Sequence, residues 1–222
     1  MASDRGHERR RQRMVDRDIE GRGITDRRVL AAMREVPRHR FVDRSLQPMA
    51  YQDRPLPIGA GQTISQPYIV AAMTEALELE PDDTVLEIGT GSGYAAAVLG
   101  LLAGEVWTIE RHASLAESAA EVLAELGHDN VHVVHGDGTK GLPERGPFDG
   151  IVATASGPRV PRPLVEQLAD GGRMILPVGT GHFDDQELVL VRRDGDRITE
   201  ERREPVRFVD LIGEHAWPES SP

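Results

Sequence analysis

Residues 84–94 read Thr-Val-Leu-Glu-Ile-Gly-Thr-Gly-Ser-Gly-Tyr, an apolar run that breaks into glycines at alternate positions. Val85, Leu86 and Ile88 suit a strand covered on both faces of a parallel sheet. The glycines then turn the chain into a helix whose N-terminal amides can meet a polar or anionic ligand. This strand, turn and helix predict an α/β fold with a nucleotide-like cofactor at the turn.

Gly89-x-Gly91 matches the start of the dinucleotide-binding fingerprint, and Glu110 follows near the ~20-residue offset at which an acid binds a ribose. That fingerprint wants a small residue three positions after Gly91, where helix and strand pack closely. Tyr94 stands there, which argues against NAD. Asp137, between Gly136 and Gly138 after a later strand, can accept a hydrogen bond from an adenine amino group, or can be an aspartate of a tight turn. Glu110 can take both ribose hydroxyls, or can be a charge flanking a helix. Their joint place along one sheet edge favours binding.

At 222 residues the chain suits one α/β domain with a substantial core. It has no cysteine, no apolar stretch long enough to cross a bilayer and no signal-like opening segment, so a soluble cytoplasmic protein without a membrane partner is expected. A formal charge of −11 repels a phosphate backbone, and the dense basic cluster is Arg9, Arg10, Arg11 and Arg13. No nucleic-acid partner is expected.

Along the chain, residues 1–13 are expected to be a frayed basic leader, and 14–217 one domain. Within it, 14–80 form an N-terminal cap and substrate loop, 81–180 the cofactor-binding core and 181–217 the C-terminal strands. Residues 218–222 are expected to be a loose tail. Two helices broken at Gly21-Arg22-Gly23 fill 14–34, with Thr25 or Asp26 capping the second. Tyr51 to Ile64 has the composition of an ordered irregular loop, and Pro67 opens a helix through Leu77. Strands Val85–Ile88, Val106–Ile109, Val131–Val134, Phe148–Ala153 and Arg173–Val178 alternate with helices Tyr94–Leu102, Leu115–Leu126 and Pro163–Leu168, predicting a doubly wound parallel sheet. Glu187–Arg193 and Pro205–Leu211 read as antiparallel strands at its edge.

Glu87 inside the first of these strands, with Gly89, Gly91 and Gly93 behind it, resembles the first motif of class I S-adenosylmethionine-dependent methyltransferases. Residues 50–67, Ala-Tyr-Gln-Asp-Arg-Pro-Leu-Pro-Ile-Gly-Ala-Gly-Gln-Thr-Ile-Ser-Gln-Pro, resemble the signature of protein-L-isoaspartate O-methyltransferases. Val36–Val42, Val85–Tyr94, Gly136–Gly138, Pro177–Gly179 and Val206–Val209 resemble that family too, in the same order, so the likeness covers about 14 to 217. It implies a Rossmann-like, mostly parallel seven-stranded sheet with a helical N-terminal cap, whose last strands depart from the usual methyltransferase order and run antiparallel. It implies S-adenosyl-L-methionine as cofactor and isoaspartyl proteins or peptides as substrate, methylated on the α-carboxylate and repaired through a succinimide. Carried over, the functional serine falls on Ser65, with Asp53 and Thr63 near the substrate. Cofactor contacts fall on Glu87, Gly89, Gly91, Ser92, Glu110, Asp137 and Gly138. Ser65, just before the Pro67 helix, is also a natural N-cap. Ala95, Ala153–Ser156 and Asp210 depart from the family pattern and touch the shape of the peptide cleft.

An α-carboxyl group with a reference pKa of roughly 3.3–3.7 is ionised at neutral pH, so transfer needs orientation and exclusion of water rather than a base. His39, His112, His128, His132 and His135 are therefore expected at the surface or in packing, and no metal is expected. Two other readings share the residues: methylation of a normal aspartate in a dedicated partner peptide, and a non-catalytic S-adenosylmethionine-binding module. A monomer is expected.

Overall fold

In the computed structural model, residues 2–180 and 185–219 are described, so the end of the expected tail, 220–222, lies outside the described residues. Helix α1 (Ala2–Met14) continues into a π-helical turn, Val15–Ile19, and a short 3-10 turn, Glu20–Arg22. Residues 2–13 are thus helical rather than a frayed leader, and Met14, Val15 and Ile19 behind them are buried. Asp26 caps α2 (Arg27–Glu35), accepting from the amides of Arg28 and Val29.

The proline- and glycine-rich loop contains a short hairpin, β1 (Leu56–Gly59) and β2 (Gln62–Ile64), which its composition did not reveal. Ala60 and Gly61 between them both take positive φ, as the two-residue hairpin turns that match strand twist require. Then follow α3 (Pro67–Leu77), β3 (Thr84–Ile88), α4 (Tyr94–Gly100), β4 (Glu105–Glu110), α5 (Ala113–Glu125), β5 (Val131–His135), β6 (Phe148–Ala153), α6 (Arg162–Glu166), β7 (Leu168–Val178), β8 (Gln186–Asp194) and β9 (Arg197–Val206).

The main sheet has seven strands in the order β5-β4-β3-β6-β7-β8-β9. The first five are mutually parallel, and β8 runs antiparallel to both its neighbours. Strand order reverses beside β3, which has β4 on one side and β6 on the other, so a crevice opens at the carboxyl ends there. Ile88 pairs with Ile109 and with Ala153, which brings Gly89, Glu110 and Thr154 level across the crevice mouth. Alternate residues serve two cores. Val85, Val106 and Ile175 pack on one face against the N-terminal helices, while Leu86, Ile151 and Met174 pack on the other against Leu164 and Phe148.

The expected strand Pro205–Leu211 is not one: β9 ends at Val206. Buried Gln186 replaces the ladder there, its side chain accepting from the Phe208 amide (2.7 Å) and donating to the Phe208 carbonyl (3.1 Å). The chain then crosses to Ser156, whose amide donates to Val209 O at 2.8 Å and whose carbonyl accepts from Leu211 N at 2.8 Å. That crossing carries Val209 and Ile212 to the crevice.

Candidate active site

A cavity of about 300 Å³ lies at the carboxyl ends of β3, β4 and β6. Gly89, Gly91 and Ser92 of the glycine turn line it, together with Glu110 and His112, Gly138 and Thr154, and Thr63 and Ser65 from the end of the β1–β2 hairpin. The glycines are structural necessities: Gly89, Gly91 and Gly93 have φ of 95°, 54° and 87°. A Cβ on Gly89 would lie 2.6 Å from Thr154 Oγ1, and one on Gly138 would lie 2.5 Å from Ile88 Cγ2.

Glu110 is almost fully buried, and its carboxylate organises the turn. Oε2 accepts from Gly91 N at 2.8 Å and Oε1 from His112 N at 2.9 Å. Each oxygen keeps a lone pair for a second donor such as a hydroxyl.

The structure separates two expected cofactor residues from this group. Glu87 is wholly buried inside the sheet beneath the cavity and does not line it. Its Oε2 accepts from Thr108 Oγ1 at 2.6 Å, Thr108 Oγ1 lies 2.6 Å from Thr90 Oγ1, and Oε1 has no partner among the described residues. Burial pushes the Glu87 carboxyl up to about 8 against the Thr108 hydrogen bond, with the Glu110 charge adding to the rise. Asp137 lines a neighbouring cavity of about 610 Å³ with Ile212 and Gly213. Its oxygens accept from the amide and hydroxyl of Thr139 and from Glu214 N. Burial raises the Asp137 pKa, but these bonds outweigh it and hold the carboxyl below its ordinary value.

Ser65 does not cap α3; Gln66 occupies the cap position and its side chain makes no capping bond. Asp53 supplies the cap from a distance, Oδ1 accepting from Tyr68 N at 2.9 Å, while Oδ2 takes the Gln66 amide and Arg22. Asp53 lies behind the cavity wall rather than on it, and the Ser65 hydroxyl is not spent on the helix. Thr63, Ser65, Thr154 and Val209 also border a second groove of about 650 Å³, lined further by Arg22, Pro55, Tyr68 and Phe208. Sequence reasoning did not single out Thr90 or Val209 as site residues, and it reached Thr154 only within the stretch Ala153–Ser156 assigned to the peptide cleft. It placed His112 at the surface or in packing, whereas His112 lines the cavity and its buried Nε2 has no partner among the described residues.

Residues 9–216 match the family model described as protein-L-isoaspartate(D-aspartate) O-methyltransferase. The chain belongs to this family. A protein-L-isoaspartate O-methyltransferase of Methanoregula boonei is 57% identical over 207 residues, covering 93% of this chain and 94% of that protein. Another, of Pelobacter propionicus, is 55% identical over 96% of this chain and 95% of its own length. Among solved structures, a protein-L-isoaspartate O-methyltransferase aligns at a TM-score of 0.85 and 30% identity, over 93% of this chain and 67% of that one. A Plasmodium falciparum structure described as such a methyltransferase in complex with S-adenosyl-L-homocysteine aligns at 0.78 and 26%, over 91% and 98%. The class I methyltransferase fold and S-adenosylmethionine as cofactor follow for this protein-L-isoaspartate O-methyltransferase family member. Its cavity is compatible with that cofactor: Gly89, Gly91 and Gly138 leave the lining free of side chains at the turn, and the Glu110 carboxylate keeps an acceptor position on each oxygen for a hydroxyl.

Proposed function

We propose that this chain binds S-adenosylmethionine in the glycine-lined cavity and an isoaspartyl segment in the adjoining groove, and that the two meet at Ser65. The observation that carries this assignment is the shared wall: Thr63, Ser65, Thr154 and Val209 border both spaces. The reaction is methylation of the α-carboxylate of L-isoaspartyl residues in damaged proteins, and the ester closes to a succinimide that reopens partly to normal aspartate.

The bound cofactor supplies an electrophilic methyl group on a sulfonium. A carboxylate oxygen of the substrate forms the new bond to that carbon as the carbon–sulfur bond breaks, and no proton moves. The chain's own residues therefore orient and shield. Gly89, Gly91, Ser92 and Gly138 let the backbone approach the cofactor, Glu110 accepts from its ribose hydroxyls, and Ser65 with Thr63 aligns the substrate carboxylate. Glu87 acts beneath the site through Thr108 and Thr90, and Asp137 from the adjoining cavity; Asp53 acts by holding α3 and the loop together.

We read residues 14–217 as one methyltransferase domain: 14–80 cap and substrate loop, 81–180 cofactor core, 181–217 C-terminal strands. It works as a cytoplasmic monomer on damaged proteins, without nucleic acid. The formal charge of −11 supports the last point, and no helix among the described residues is long and apolar enough to cross a membrane. Incubation with labelled cofactor and a matched pair of isoaspartyl and aspartyl peptides tests the reaction. Label should enter the isoaspartyl peptide alone; equal labelling of both, or of neither, rejects it.

A further inference from the structure

The segment Val36–Val42 has no task in the reaction above, yet Arg38 within it is wholly buried. Its guanidinium reaches three main-chain carbonyls. One nitrogen, Nη1, donates to Ala50 O, and Nη2 donates to Arg54 O at 3.2 Å and Ser65 O at 2.9 Å. The first two acceptors lie near the start, and the third at the end, of the loop that forms the substrate-side wall. On its other side the guanidinium carbon lies 5.5 Å from the centroid of Tyr94, the buried first residue of α4 and itself part of the cavity lining. The side chain thus spans the loop and the glycine turn.

Such a residue is costly for mere filling. A buried cation loses its hydration, and burial pulls the Arg38 pKa down to about 10, against the favourable charge of Asp53. Among the described residues no carboxylate bonds to the group, and Nε has no partner. An apolar side chain would occupy the volume without that penalty. What it could not supply is a planar fork of donors fixing three carbonyls at set angles.

We propose that Arg38 is a positioning residue for methyl transfer: by tying Ser65 O to Ala50 O and Arg54 O, it fixes the main chain from which the Ser65 hydroxyl faces the cavity. The proposal rests on the reading of Ser65 as the substrate-aligning group. Asp53 and α3 fix the residues after Ser65, and Arg38 fixes the peptide unit of Ser65 itself. Losing either leaves the hydroxyl in the site but out of place.

A double-mutant cycle with Arg38→Lys and Ser65→Ala tests this, reading kcat at saturating isoaspartyl peptide and cofactor, KM for the peptide, and S-adenosylhomocysteine affinity by calorimetry. Lysine keeps the charge but not the fork. With Ser65 present, Arg38→Lys should lower kcat about 10- to 100-fold and leave cofactor affinity within about 3-fold, because small misplacements at a reacting pair are expensive. In the Ser65→Ala background the same change should lower kcat less than about 3-fold. Equal losses in the two backgrounds would overturn the proposal and leave the role of Ser65 standing. Full kcat in Ser65→Ala alone would refute the reading of Ser65 and the proposal with it. Arg38→Gln, which keeps an amide donor without a buried charge, runs through the same cycle should the lysine variant not fold. Loss of cofactor binding in both variants would assign Arg38 to the whole fold and overturn its role in positioning.

Discussion

Glu110 closes the glycine turn as well as facing the cavity, since its oxygens hold Gly91 N and His112 N. Glu110→Ala should therefore weaken S-adenosylmethionine binding by about 1.5–3 kcal/mol, roughly 10- to 150-fold. Calorimetry checks it, and unchanged affinity would remove Glu110 from the cofactor site. Glu87 makes a prediction of another kind. Its folded-state pKa, about 8, stands above the ordinary 4.5. The neutral form is favoured on folding, so its contribution is complete below about pH 4.5 and is lost as pH climbs toward 8. Glu87→Gln, neutral at every pH, should gain stability relative to wild type between about pH 5 and 8, by a few kcal/mol at the upper end. Urea titrations of both proteins at the two ends check this, and a constant difference would show that Glu87 is ionised in the fold. The sequence shows that Gly89, Gly91, Ser92, Glu110 and Gly138 gather, because strand ends and glycine turns are local. It does not show that Glu87 points into the sheet or that Asp137 is engaged by Glu214, because depth and remote partners are tertiary facts.

At the scale of elements, α3 is held by a cap from outside its own sequence. Asp53→Ala would strip Tyr68 N and the Gln66 side chain of their acceptor and release Arg22 from its ion pair. The expected cost is about 0.5–2 kcal/mol in stability, with turnover on an isoaspartyl peptide falling further than cofactor affinity. Thermal unfolding together with calorimetry reads both, and equal loss of peptide turnover and cofactor binding would deny Asp53 a role specific to the loop. A local reading assigns the cap to Ser65 because serine two residues before Pro67 has the right chemistry, and only the folded loop shows an aspartate thirteen positions upstream of Gln66 in competition. The βαβ units were legible because their apolar runs are continuous and bounded by turn residues. The path of 205–211 was not, since it depends on Gln186 standing in for a strand partner.

For the molecule as a whole, the rate at saturating substrate should be nearly flat from about pH 6 to 7.5, since the substrate carboxylate is ionised throughout. A rate rising steeply with pH across that range would instead indicate general-base catalysis, and among the described residues His112 is the histidine that lines the cavity. The sheet finally has to end somewhere, and it ends in β9, whose residues Arg197 to Arg202 are all exposed. Arg202 pairs with Glu187 at 2.7 Å and Glu201 with Arg192 at 2.8 Å across to β8, and Pro205 offers no N–H. The last residues of that strand, Glu204 to Val206, border the groove proposed above for the isoaspartyl segment. A damaged, partly unfolded chain held beside an open sheet edge would otherwise anneal to it as a further strand. Charge along the edge and a proline at its groove end oppose that annealing, so the strand nearest the groove is the one least able to recruit a neighbour's backbone.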